Sequence, residues 1–108
     1  MYQENIILCG SSAYEQKYYF NEDFASLPER IQEELKIMCV LFTEDVGGVL
    51  TLEFGPEGNL ELKVDVDEGD LLFDEIGSVL KIKQLQREKE DLFLSLEQYY
   101  KVFFLGEE

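Results

Sequence analysis

The feature that most constrains the fold is an alternation of apolar and polar residues over residues 49–67, "VLTLEFGPEGNLELKVDVD". The apolar positions are Leu50, Leu52 and Phe54 in the first half and Leu60, Leu62, Val64 and Val66 in the second. A period of two is typical of a strand with one buried face. The central "GPEGN" has turn composition, because proline presets φ and glycine accepts positive φ. We predict a β-hairpin with one apolar and one acidic face, covered on one side only.

Another hairpin is predicted near the start of the chain. Residues 5–9, "NIILC", form a short apolar run, and residues 13–20, "AYEQKYYF", carry the aromatic side chains that strands favour. The "GSS" at residues 10–12 has turn composition, so we expect it to join the two strands.

One helix is predicted between the hairpins, in "FNEDFASLPERIQEELKIMCVLF". Ser26 and Glu29 have the spacing of a capping box, and Pro28 falls in the first turn, where a missing N–H does no harm. The apolar residues that share one helical face are Ile31, Leu35, Met38 and Phe42. The apolar tail "IMCVLF" fits a buried helix end or, alternatively, a strand. The "DVGG" that follows predicts the end of the helix.

Residues 70–105 have a mostly helical pattern. The apolar residues at three-four spacing are Ile82, Leu85, Leu92, Leu96, Tyr99 and Phe103, and Lys89 interrupts them. We expect Gly77 and Ser78 to divide a short first helix from a long second one. Residues 79–83, "VLKIK", would alternatively form a brief strand.

These elements predict an α+β fold in the order β-β-α-β-β-α. Its antiparallel sheet would consist of two hairpins, with helices packed on one face. A chain of 108 residues has enough apolar surface for one core, so we expect residues 1–108 to form a single domain.

The charge of the chain restricts its partners. It has 24 acidic and 9 basic residues and a formal net charge of −15. Such a field repels phosphate backbones and anionic membranes, so we expect no nucleic-acid or membrane partner. The charge suggests a basic protein partner, or it serves only to keep the protein soluble. The chain has no apolar run of about eighteen residues and no positive region before its first apolar run, which favours a cytoplasmic location.

The acidic run at residues 65–75, "DVDEGDLLFDE", is the place to test for a cation site. Aligned on Asp65, the calcium-loop pattern is met at its third position by Asp67 but fails at the fifth, sixth and twelfth positions. We therefore expect solvent-facing side chains, with Asp67 or Asp70 capping the next helix. No metal is predicted, and Asp65, Asp67 and Asp70 are only weak candidates. The alternative hypothesis is a small-ligand or divalent-cation binding protein that uses these carboxylates.

No feature of the sequence predicts an enzyme. The chain has no histidine, which removes the commonest general base and most zinc sites. It has no phosphate-binding glycine loop, and Ser11 and Ser12 lack the glycine-flanked setting of a nucleophile elbow. Cys9 and Cys39 lie in apolar runs, where each is expected to be a small buried hydrophobe rather than a bridge partner. We predict no catalytic residue and no cofactor.

Two features are candidate interaction surfaces. The basic cluster of Lys81, Lys83, Arg87 and Lys89 could dock an acidic partner or the acidic half of a second copy, but the preferred interpretation is the solvated flank of a helix, balanced by the acidic residues beside it. The C-terminal "LFLSLEQYYKVFFLGEE" has a wide apolar stripe that either completes the core or forms a homodimer seam. The candidate interaction residues in it are Leu96, Tyr99, Tyr100, Phe103 and Phe104.

Four segments, "YYFNEDF", "LPERIQEELKIMCVLFTEDVGG", "EGDLLFDEIGSVLKIKQLQREKEDL" and "YYKVFFLGEE", together resemble a family of short acidic uncharacterised proteins, a domain of unknown function, from anaerobic Gram-positive bacteria. The resemblance covers nearly the whole chain. It implies a bacterial, cytoplasmic protein, and it carries no activity, ligand or site residue. From the charge and the apolar stripe, we predict a non-enzymatic interaction or regulatory module that presents an acidic sheet face, and an apolar helix seam, to a protein partner.

Overall fold

The structure, a computed structural model, describes residues 4–106 as one antiparallel sheet with helices against it. The strands are β1 (Ile6–Ser12), β2 (Lys17–Phe20), β3 (Val49–Phe54) and β4 (Leu60–Asp65), and the α-helices are α1 (Glu29–Val46), α2 (Glu75–Glu88) and α3 (Glu90–Phe103). A single-turn helix at Glu22–Phe24 precedes α1. The strand order in the sheet is β2-β1-β3-β4. The predicted α+β class and element order are confirmed, with the last helix divided in two.

The second hairpin forms as its alternation predicts. Leu50, Leu52 and Phe54 of β3 are buried, while the residues between them are partly exposed. Their partners on β4 are Val64, Leu62 and Leu60, in that order. Gly58 in the connecting turn has φ 92°, a value that favours glycine. The strand ends at Asp65.

The first hairpin differs from the prediction, because residues 10–12 belong to β1 rather than to a turn. β1 lies between β2 and β3 and pairs with both, so pairing on two sides extends it through Ser12. A Cβ atom on Gly10 would lie 2.8 Å from the carbonyl oxygen of Leu50. The glycine is thus required for close approach of strands, and the turn follows it at residues 13–16.

The N-terminus of α1 also differs from the prediction. The helix begins at Glu29, Pro28 is its N-cap, and no side chain caps it. Ser26 does not form a capping box, because its hydroxyl is hydrogen-bonded to that of Tyr99. The "IMCVLF" tail is helical, and the helix ends before Gly47, whose φ is 87°.

The break in the C-terminal helices lies at Lys89, not at Gly77 and Ser78. Those two residues are in the first turns of α2, where Asp74 Oδ1 accepts a 2.8 Å hydrogen bond from the Gly77 amide. Residues 79–83 are helical, and residues 66–74 form a loop where the short first helix was expected. No helix within residues 4–106 is long and apolar enough to cross a membrane.

The core lies between the sheet and α1, and aromatic residues close one end of it. The ring centroids of Phe54 and Tyr100 are 4.2 Å apart, and those of Phe24 and Phe104 are 4.7 Å apart. Tyr100 also stacks on Phe104 at 5.1 Å. These contacts fix α3 against the sheet end, so α3 serves the core of its own chain.

Candidate interaction surface

The acidic residues of the predicted cation site make protein contacts. Asp70 Oδ2 accepts a 2.6 Å hydrogen bond from the Tyr14 hydroxyl, and Asp70 Oδ1 accepts one of 2.9 Å from the Leu72 amide. The Asp67 amide donates to the same Tyr14 hydroxyl at 3.0 Å. Asp65 is exposed at the end of β4. The structure brings Asp67 and Asp70 together through Tyr14.

These contacts shift the pKa values of the pair. The hydrogen bond from Tyr14, then that from the Leu72 amide, lowers the pKa of Asp70, and the same bond to Asp70 raises the pKa of Tyr14. Asp74, rather than Asp67 or Asp70, caps α2. Within residues 4–106, no three Asp, Glu or Cys side chains are grouped so that they could hold a metal ion. The contacts of Asp70 therefore hold the loop at residues 66–74 in position.

That loop displays two leucines. Leu71 is 95% exposed and Leu72 is 93% exposed. The residues on either side of them, Asp70 and Asp74, are held by hydrogen bonds. Asp70 is bonded as described, and on the other side the Asp74 amide donates a 3.0 Å hydrogen bond to the Val46 carbonyl. Between them Phe73 turns inward and packs against the core, next to Gly48. The two leucines are therefore held outward.

Helix α2, which follows this loop, also exposes apolar residues. Ile76, Val79 and Leu80 are exposed, Ile76 by 76%, and their spacing places them on one side of the helix. Ser78 is buried, and Ile82 and Leu85 pack against the core from the opposite side. We call the exposed set the α2 surface; it consists of Leu71, Leu72, Ile76, Val79 and Leu80. Because large exposed apolar patches mark interaction sites, this set is a candidate for one.

Charged residues lie at both ends of the α2 surface. The acidic end is formed by Asp67, Glu68, Asp70, Asp74 and Glu75. Lys81 and Lys89 form ion pairs with Asp45 and Glu34 of α1, so they fit the interpretation as a helix flank. Lys83 and Arg87 follow Leu80 along the exposed side of the helix, and no ion pair is described for them within residues 4–106.

The predicted C-terminal seam is divided by the fold. Leu96 and Tyr100 are buried, so they cannot contact a second copy without unfolding. Tyr99 is half-buried. Phe103 is 71% exposed and Phe104 is partly exposed while stacking on Phe24. Two of the five candidates thus lie in the core, and Phe103, with part of Phe104, stays accessible.

The acidic face of the sheet is partly neutralised by its own neighbours. Glu53 and Glu61 lie opposite each other on β3 and β4. The Lys63 ammonium is 3.5 Å from the first and 3.7 Å from the second, and the Asn5 amide donates to both at 3.2 Å. These carboxylates are therefore engaged within the chain.

Sequence reasoning missed the α2 surface. The pattern over residues 70–105 predicts helices whose apolar stripe begins at Ile82, with residues 79–83 alternatively a brief strand. Neither alternative predicts an exposed apolar face at Ile76, Val79 and Leu80. A signal was available in "DLLFD", where three large apolar residues stand between two carboxylates that both form local backbone hydrogen bonds.

The fold and this surface define a small acidic α+β domain with a half-covered antiparallel sheet and an exposed apolar helix face. The model of a family of unknown function, DUF6145, matches residues 5–108, and the chain belongs to that family. No curated protein and no solved structure matches the chain significantly. The expectation that the chain belongs to a family of unknown function is thus confirmed.

Proposed function

We propose that this protein is a non-enzymatic interaction module that binds a basic protein partner through the α2 surface. The observation that supports the proposal is the outward fixation of Leu71 and Leu72 by a hydrogen-bonded loop. Burying a leucine side chain contributes roughly 1.5–3 kcal/mol, so two such side chains supply a substantial part of a binding energy. Because the loop is ordered before binding, little conformational entropy is lost on association.

The chemistry of the partner follows from the charges. A segment with apolar side chains for Leu71, Leu72 and Ile76, and with lysine or arginine beside them, would match the acidic end of the surface. The net charge of −15 would speed the encounter with such a segment and make it sensitive to salt. The same charge on each copy opposes a homodimer, so the predicted α3 seam has less support. A bacterial, cytoplasmic location is part of this proposal.

The cation-binding alternative has less support in the geometry. Asp70 already accepts two hydrogen bonds from within the chain. A calorimetric titration with calcium tests it; we expect no site tighter than roughly millimolar, the range of weak extracellular modules. A stoichiometric micromolar site would restore the alternative.

The interaction proposal is tested by affinity capture with three baits: the native chain, Leu71→Ser/Leu72→Ser, and the matched control Phe103→Ser. All three should melt at similar temperatures, because these side chains are exposed. We expect one stoichiometric partner on the native and control baits at low salt, and its loss from the double variant. The purified partner should then bind the native chain directly. Equal retention by all baits would reject the α2 surface, and no retained partner would reject the module.

A further inference from the structure

Cys9 and Cys39 face each other across the contact between β1 and α1. Their sulfur atoms are 3.9 Å apart, both residues are completely buried, and both are free thiols. The chain has no other cysteine. We infer that this pair is a modification site that forms a reversible disulfide bond when the protein is exposed to hydrogen peroxide. The inference does not depend on the proposed function.

The neighbouring contact keeps the two backbones in register. Ser11 lies two residues after Cys9 on the strand, and Thr43 lies one helical turn after Cys39; their hydroxyl oxygens are 2.9 Å apart. Two residues of strand and four of helix advance the chain by nearly equal lengths, about 6–7 Å. The cysteine pair and the hydroxyl pair therefore lie side by side between the same two elements.

Bond formation needs only a small movement. A disulfide has a sulfur–sulfur length of about 2.05 Å, so the two sulfur atoms must approach by about 2 Å. Rotation of the two side chains supplies part of that movement, and the packed contact between β1 and α1 supplies a fixed frame for it. No rearrangement of strand order or helix bounds is required.

The reaction is balanced with one molecule of peroxide. The sulfur of one thiolate attacks a peroxide oxygen and breaks the O–O bond, giving a sulfenic acid and hydroxide, which is protonated to water. The sulfur of the second cysteine then attacks the sulfenic sulfur, forming the S–S bond and releasing a second water that carries the thiol proton. Two thiols are oxidised and one peroxide is reduced to two waters.

The surroundings make this oxidation slow. The contact with Cys9 and burial raise the pKa of the Cys39 thiol, so little of the Cys39 side chain is present as thiolate. A cleft of about 420 Å³ is lined by Ser11 and Thr43 but by neither cysteine, so a small oxidant has to pass this hydroxyl pair to reach the two sulfur atoms. The pair should therefore respond to sustained rather than brief exposure.

The bond would join positions 30 residues apart and so constrain the unfolded chain. The test is to treat the folded full chain with hydrogen peroxide for increasing times, remove the oxidant with catalase, and alkylate the unfolded protein. We expect the count of alkylated thiols to fall from two to zero without dimer formation, together with a rise of several degrees in melting temperature. Dithiothreitol should reverse both changes.

Cys9→Ser and Cys39→Ser are the matched controls, and each should keep one alkylatable thiol and show no rise in melting temperature. Because both variants keep the methionines, they also show any effect of methionine oxidation on the melting temperature. If a serine variant does not fold, the thiol count on the native chain still decides. Two alkylatable thiols after prolonged exposure, sulfinic acid at either cysteine, or disulfide-linked dimers would overturn the inference.

Discussion

The hydroxyl of Tyr14 donates a 2.6 Å hydrogen bond to the carboxylate of Asp70, which lies 56 positions further along the chain. The same hydroxyl accepts from the Asp67 amide. One side chain in the turn after β1 thus fixes both ends of the segment that leads to Leu71 and Leu72. We therefore expect this contact to help hold the two leucines outward.

Tyr14→Phe removes the hydroxyl and keeps the ring. We expect faster hydrogen exchange at the Asp67 and Leu72 amides and little change in melting temperature, because the contact is at the surface. Tyr19→Phe, at another exposed tyrosine for which no hydroxyl contact is described, is the control. Unchanged exchange at both amides in Tyr14→Phe would show that Phe73 alone holds the loop.

The pKa of Asp70 predicts a dependence of loop order on pH. Its folded-state pKa is lowered, chiefly by Tyr14, so the charged form is favoured in the folded protein. The contribution of charged Asp70 to the stability of the folded loop is present above the ordinary aspartate pKa of about 3.9. It is lost as the pH falls through the lower pKa that Asp70 has in the folded protein. NMR titration should place the Asp70 carboxyl below its ordinary value. Asp70→Asn should make the loop looser than in the native chain at neutral pH, but not at acid pH, where the native carboxyl is protonated. Glu68→Gln, the control, should leave the loop unchanged at both pH values.

The buried hydroxyl pair predicts an asymmetric cost of substitution. Thr43→Val leaves the Ser11 hydroxyl buried without its partner, and we expect a loss of about 1–3 kcal/mol in the free energy of unfolding. Ser11→Ala should cost less, about 0.5–1.5 kcal/mol, because Thr43 can still donate to the carbonyls of Cys39 and Val40. Urea denaturation measures both. A larger loss for Ser11→Ala than for Thr43→Val would contradict this assignment of partners.

Local patterns predicted the elements whose determinants are local. The alternation around Leu52 and Leu62 sets the hairpin register, and no distant residue is needed to specify it. Gly10 and Ser26 misled the prediction because distant partners determine their roles: β3 beside Gly10, and the Tyr99 hydroxyl for Ser26.

The helical part of the α2 surface lies beyond sequence reasoning for a similar reason. Leu80 and Leu85 are chemically identical, and only the packing of α2 beside α1 and α3 decides that the first is exposed and the second packs against the core. A helix with apolar residues on two sides does not reveal which side is covered.

The last prediction concerns the two sides of α3, one of which packs aromatic residues into the core while the other exposes Phe103. Phe54 is fully buried and stacks on Tyr100, so Phe54→Ala removes an aromatic ring from the core and should cost about 3–5 kcal/mol. Phe103 lies on the same helix as Tyr100 but is exposed, so Phe103→Ala should change stability by less than about 0.5 kcal/mol. Thermal and urea unfolding at several protein concentrations measure both. If Phe103→Ala were strongly destabilising, and the native melting temperature rose with concentration, Phe103 would be buried between two copies and the α3 seam would regain its support.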